Sequence, residues 1–281
     1  MIDALHIPLP RRRPWLGEVL LFAAALLVYQ GSRALVIGDP ATAFRNARDV
    51  MGLEKAAGVF VEPGVQRFLM GHETLVSILN QFYMSAHWVV TPLFFVWLYR
   101  RRRSAYAYVR NAFLVANGIA LTVFMLFPVA PPRLAGTRDG LVDTLHTVSG
   151  VDLHGGVLSG WFNPNAAVPS MHFGYSFLIG VVGVALVRNP VARAAFAAYP
   201  AIVLLTIVGT ANHYVIDAAA GGAVMLIGLA AAAAWPSLAA LAGHRRTSPS
   251  PRHAGHGTGA RTVPSPLRAS TGVQMRRCPQ Q

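Results

Sequence analysis

Cysteine is almost missing from this chain of 281 residues: the single one, Cys278, falls among the last four positions. That excludes an internal disulfide framework and a multi-cysteine metal site. Charge is scarce as well, at 12% of residues against about 25% in soluble domains, while hydrophobic residues make up 54%. Such a balance points away from an ordinary soluble globule. Acids are outnumbered, 11 against 24 basic residues, giving a formal charge of +13. Lysine is represented only by Lys55, so the excess is arginine. Because the arginines flank apolar runs instead of lining one groove-facing element, the anionic partner they suit is a lipid surface and not a nucleic acid.

Crossing about 30 Å of hydrocarbon as a helix takes roughly 20 mostly apolar residues, with every backbone polar group satisfied inside the segment. Six stretches meet that demand: about 15–37, 75–99, 111–129, one from near Ser170 that ends before Arg188, and a fifth from about Tyr199 leading almost directly into a sixth that ends near Ala242. Arg11–Arg13 followed by an apolar run has the outline of a signal peptide, but the run exceeds the usual core of about 7–15 residues, which favours an uncleaved first span. The reading is an all-α integral membrane bundle of six helices over 15–242. Residues 1–14 form a short cytoplasmic N-terminus, and 243–281, rich in Arg, Ser, Pro, Thr and Gly, a disordered basic cytoplasmic tail.

Short cytoplasmic loops are enriched in arginine. With six spans both termini share one side, and that side collects 17 of the 24 basic residues against Asp3 and Glu18. The other side holds seven basic residues against eight acids. Both termini are therefore expected in the cytoplasm of a multi-pass plasma membrane protein, with 38–73 and 130–169 facing outward. Within the first outer stretch, Ala43, Phe44, Val50, Met51, Leu53 and Val59 alternate with charges, the pattern of an amphipathic helix on the outer face.

Polar groups at membrane depth are costly, so the few present are functional candidates. Ala130-Pro131-Pro132-Arg133-Leu134 fixes one arginine by a rigid proline turn, either as an interfacial anchor or as a planar fork for phosphate oxygens. In Asn163-Pro164-Asn165 and Val168-Pro169-Ser170-Met171-His172, a turn enters the fourth span with Ser170 as cap or hydroxyl donor and His172 about one turn in. In Asn212-His213-Tyr214-Val215-Ile216-Asp217, followed by Gly221 and Gly222, His213 and Asp217 are four apart and would share a helix face. That pair is either a structural bridge or a carboxylate that fixes the imidazole tautomer and frees its other nitrogen for attack. By the topology above, Arg133, His172, His213 and Asp217 lie at one level of the membrane. Two imidazoles, a carboxylate and a guanidinium at one depth suit phosphoryl transfer, without metal or cofactor.

At these residues the sequence resembles the type 2 phosphatidic acid phosphatase superfamily over roughly 75–240. Pro169-Ser170-Met171-His172 matches the family's Pro-Ser-Gly-His, and His213 to Asp217 its His-x-x-x-Asp. The closer likeness is to the branch of inositol phosphorylceramide synthase. That resemblance implies that His213 attacks phosphorus, Asp217 orients it, His172 serves the leaving group and then the acceptor, and Arg133 with Ser170 binds phosphate. It implies a lipid phosphate substrate, with water or an alcohol such as inositol or a glycan as acceptor. Leu126 and Leu134 stand where the family has a lysine before and a proline after the arginine, and Thr206 and Ile207 where it has Ser-Arg. The phosphate site is thus poorer in cations than the family pattern. Asn80, Tyr83 and His87, aligned on one face of the second span, are candidate substrate-binding replacements or a stripe of interhelical hydrogen bonds. His146 and His154 in the long outer loop are further headgroup candidates. The reading from another class is a non-catalytic lipid-binding or transport protein that keeps the fold, favoured by the loss of two family cations.

Overall fold

The computed structural model describes residues 15–35, 40–152 and 165–246. Asn163, Pro164 and His154, the N-terminus to residue 14 and the tail beyond residue 246 lie outside the described residues. One compact unit runs to Ala240, and a second begins at Leu241, of which only the end of the last helix is described.

All the longer elements are helical: α1 (Trp15–Leu35), α2 (Pro40–Ala57), α3 (Glu62–Met70), α4 (Glu73–Arg101), α5 (Arg103–Leu126), the short α6 (Pro132–Ala135) and α7 (Thr144–Thr147), α8 (Met171–Leu186), α9 (Pro190–Gly209) and α10 (Val215–Arg246). Four helices are long and apolar enough to cross a membrane: α4, α5, α9 and Val215–Ala234 of α10. Two shorter apolar helices, Trp15–Val28 and Met171–Leu186, stand at the first and fourth expected spans. The ends differ from the sequence reading in informative ways. α5 begins at Arg103, with one residue between it and the end of α4, because only Arg102 leaves helical geometry (φ −140°, ψ 54°). α9 begins at Pro190, capped by Asn189, and runs through Pro200, since a proline inside a span is tolerated where neighbouring helices re-satisfy the backbone.

Aromatic and aliphatic side chains of α4, α5, α8 and α10 form the main core, including Phe94, Phe95, Leu98, Val109, Leu178, Ile179 and Met225. Small residues let these helices approach closely. At Gly221 in α10 an added Cβ would overlap the Ser170 carbonyl oxygen, so the start of α8 and the first turns of α10 are in backbone contact. That contact positions the site.

α2 carries an amphipathic stripe, but its register is not the one the apolar residues alone suggest. Ala43, Ala47, Val50, Met51 and Glu54 are buried, whereas Leu53 is exposed. The stripe packs on Val129, Ala130, Ala167 and Tyr214, that is, on the segments that carry the expected site residues. Val129 and Ala166 form an isolated parallel bridge that ties the chain after α5 to the approach to α8.

Candidate active site

His213 lies in the turn between α9 and α10, two residues before the helix, not within it. The turn is tightly specified. Ala211 is fully buried with φ +53°, an uncommon conformation for a residue with a Cβ, and its carbonyl accepts the Arg133 backbone N–H at 2.8 Å. The amides of Asn212 and His213 both donate to the Ile207 carbonyl, at 2.9 and 3.1 Å. Asp217, in the first turn of α10 and 0% exposed, reaches back: its Oδ2 accepts the Tyr214 N–H at 2.8 Å and lies 3.3 Å from His213 Nδ1. The two residues meet because the carboxylate caps the turn, not because they share a helix face.

The Ala167 carbonyl oxygen also stands 2.9 Å from His213 Nδ1. A carbonyl can only accept, so Nδ1 carries a proton, and in the neutral ring the lone pair is on Nε2. Nε2 is buried without a hydrogen-bond partner among the described residues, as is His172 Nε2.

His172 is the second residue of α8, two positions after the cap Ser170, whose Oγ accepts the Phe173 N–H at 3.4 Å and whose own N–H donates to the Asp217 carbonyl at 2.9 Å. The His172 ring is 5.5 Å from that of His213, centre to centre. Tyr83 stacks on it at 4.3 Å and His87 meets it edge-on at 4.5 Å. His87, His172, Tyr83, Phe82, Thr206 and Ile207 line one small cleft between α4, α8 and α9. Thr206 and Ile207, where the resembling family has Ser-Arg, thus border this cleft, and the Thr206 hydroxyl donates to the Ile202 carbonyl at 2.8 Å.

The stripe on α4 divides. Tyr83 and His87 join the imidazoles, whereas Asn80 donates to the Thr144 carbonyl and Ser149 Oγ and accepts from Thr144 Oγ1. Asn80 ties α4 to α7, and its amide is fully used there. His146, on α7, is exposed.

Arg133 is buried (5% exposed) and anchors the turn that carries His213. Its Nε donates to Asn212 Oδ1 at 3.0 Å and its Nη1 to Asp143 Oδ2 at 2.7 Å. Asp143, which the sequence reading missed, also caps α7 through its other oxygen. Two more missed groups lie behind the turn. Glu54 Oε1 accepts the Ile216 N–H at 2.8 Å and Glu62 Oε1 the Val215 N–H at 2.9 Å, so both glutamates hold the first amides of α10. Glu54 continues the buried stripe Ala43, Ala47, Val50, Met51 at helical spacing, a signal present in the sequence.

A family model of the PAP2 superfamily matches residues 48–231, about two thirds of the chain. The chain belongs to the PAP2 superfamily. No curated protein and no solved structure matches it. Superfamily membership brings phosphatase or phosphotransferase chemistry on lipid phosphates, and the four apolar helices make this a membrane member. The matched stretch contains Glu54, Glu62, Arg133, Asp143, His172, His213 and Asp217.

Proposed function

We propose that the chain is a six-span enzyme of the plasma membrane that cleaves or transfers a phosphate-containing lipid headgroup at the outer leaflet, both termini being cytoplasmic. The observation that carries this reading is the setting of His213: Nδ1 is bound by a carbonyl and a carboxylate, and Nε2 is buried near a second imidazole without a partner among the described residues. In the first step His213 Nε2 attacks phosphorus, forming a P–N bond as the P–O bond to the leaving group breaks. His172, protonated once the anionic phosphate is bound beside it, gives that oxygen its proton. In the second step His172 takes a proton from the acceptor, whose oxygen attacks phosphorus and releases His213. Arg133, and the Ser170 hydroxyl through its own proton, bind phosphate oxygens, while Asp217 holds the ring. Tyr83 and His87 contact the substrate from α4.

A water acceptor makes the enzyme a lipid phosphatase; an alcohol such as inositol or a glycan makes it a phosphotransferase, as in the inositol phosphorylceramide synthase branch. Incubating purified protein with labelled phospholipids and polyprenyl phosphates should trap an acid-labile phosphoenzyme, and mass spectrometry with each acceptor should identify the product. A reporter fused at residue 150 should read extracytoplasmic. The non-catalytic lipid-binding reading draws on one observation, that Arg133 is already paired with Asp143. Headgroup release by the wild type that disappears in His213→Ala would discard it.

A further inference from the structure

Glu54 and Glu62 come from different helices, are both 0% exposed, and converge on adjacent amides at the start of α10. Their grip on the adjacent amides of Val215 and Ile216 sets the two carboxyl groups side by side. Yet among the described residues no donor reaches Oε2 of either side chain. No lysine or arginine pairs with them there; Lys55, next in sequence, is bound to Asp139 at 2.6 Å. Two carboxylates buried side by side repel each other, and among the described residues no cationic side chain offsets that repulsion, which favours a protonated partner. A single proton shared by the two carboxyl groups would supply the missing donor.

We infer that Glu54 and Glu62 form a proton-sharing carboxyl pair that clamps the first turn of α10 and thereby sets the position of the His213 ring. They are positioning residues, acting through the backbone of residues 213–217. The chain of contact is short: Glu62 grips the amide two residues after His213, and Glu54 the amide directly before Asp217. Tyr214 between them is fully buried, its hydroxyl donating to the Ala130 carbonyl at 3.2 Å. The clamp also explains the buried register of α2, which places a glutamate where the stripe calls for an apolar side chain.

Burial, and then the neighbouring Glu62 and Asp217 charges, push Glu54 up to about 8 against the pull of the Ile216 amide. The charged groups acting on it are Glu62 from α3 and Asp217 from α10. The proton is therefore kept in the folded protein at pH values where an unfolded glutamate, near 4.5, has released it. Stability falls as pH rises from about 4.5 to about 8, since over that window the folded state binds the extra proton.

The positioning role rests on the proposed phosphoryl transfer, whereas proton sharing does not, so the test reads both. Thermal unfolding in detergent and headgroup turnover are measured from pH 5 to 9 for wild type, Glu54→Gln, Glu62→Gln and the double variant. A glutamine mimics a protonated glutamate, accepting the amide and donating to the remaining carboxylate. Each single variant should therefore keep the melting temperature near neutral pH and flatten its pH dependence. The double variant sets two NH2 groups against each other and should melt lower than either single one. For turnover, the single variants should retain kcat to within about threefold and lose the alkaline limb of the wild-type profile. The double variant should lower kcat at least tenfold with KM little changed, measured below its melting transition. Additive melting effects, with the double variant no worse than the sum, would overturn proton sharing. Normal kcat in a folded but destabilised double variant would overturn the positioning role. Absence of turnover in the wild type with the melting pattern intact would fault the phosphoryl-transfer reading alone.

Discussion

The rings of His213 and His172 stand 5.5 Å apart yet are held by different means. His213 is fastened by hydrogen bonds: a carbonyl and a carboxylate on Nδ1, with a turn behind it secured by Arg133 and two buried glutamates. His172 is held by rings, Tyr83 stacked on one face and His87 at an edge. A hydrogen-bonded imidazole has one tautomer and one direction of attack. A stacked one keeps its orientation while both nitrogens can take or give a proton as the reaction needs. The two environments thus match a nucleophile and a proton carrier, and each assignment is open to a separate blow.

The largest effect is expected at the nucleophile. His213→Ala should lower turnover by about 10⁴-fold or more and abolish the phosphoenzyme, and a more reactive substrate should not rescue it. His172→Ala should cost about 10²–10⁴-fold with a lipid substrate, the range for loss of a general acid. Much of that loss should return with an aryl phosphate, whose leaving oxygen needs no proton, and the phosphoenzyme should then accumulate because its breakdown lacks a base. Equal rescue of both variants, or of neither, would erase the distinction between the rings.

Asp217→Asn probes what fastens His213. Where a carboxylate is the sole holder of the tautomer, its amide variant loses about 10⁴-fold. Here the Ala167 carbonyl holds the same proton at a shorter distance, 2.9 Å against 3.3 Å. A smaller drop, about 10²-fold, is therefore expected, measured as kcat with the phosphoenzyme still detectable. A drop as large as that of His213→Ala would assign the tautomer to Asp217 alone.

How far this comparison was legible in the sequence depends on the range of the contacts involved. The long apolar runs marked the helices, since the membrane sets their length and character within each segment. His172, His213, Asp217 and Arg133 stood out because polar residues are rare beside such runs. The partners of these groups did not. Asp143 looked like a loop acid, and only the fold after α6 brings it onto Arg133. Asn80 shared a stripe with Tyr83 and His87, yet α7 claims its amide while the other two turn to His172. Pro200 disguised the first half of α9. Glu54 was concealed by its own charge: at the helical spacing of Ala47, Val50 and Met51 its position reads as buried, but a carboxylate is buried only where a partner waits, and that partner is 162 residues away at Ile216.

The smallest effect concerns the ring that holds His172. Tyr83→Phe keeps the stacked face, and Tyr83→Leu removes it while leaving an apolar side chain of moderate size. An aromatic pair contributes about 0.5–1.5 kcal/mol beyond its burial, which corresponds to roughly a 2- to 12-fold effect if the whole of it orients the proton carrier. Turnover of a lipid substrate should therefore fall by that factor in Tyr83→Leu and stay within about twofold in Tyr83→Phe. The aryl phosphate separates orientation from simple loosening of α4 against α8. Because that substrate needs no proton on its leaving oxygen, phosphoenzyme formation should be unaffected in Tyr83→Leu if the stack serves His172 alone. Slower formation with both substrates would mean that Tyr83, whose ring also lies 6.3 Å from His213, steadies the nucleophile as well, and the contrast between the two imidazoles would narrow accordingly.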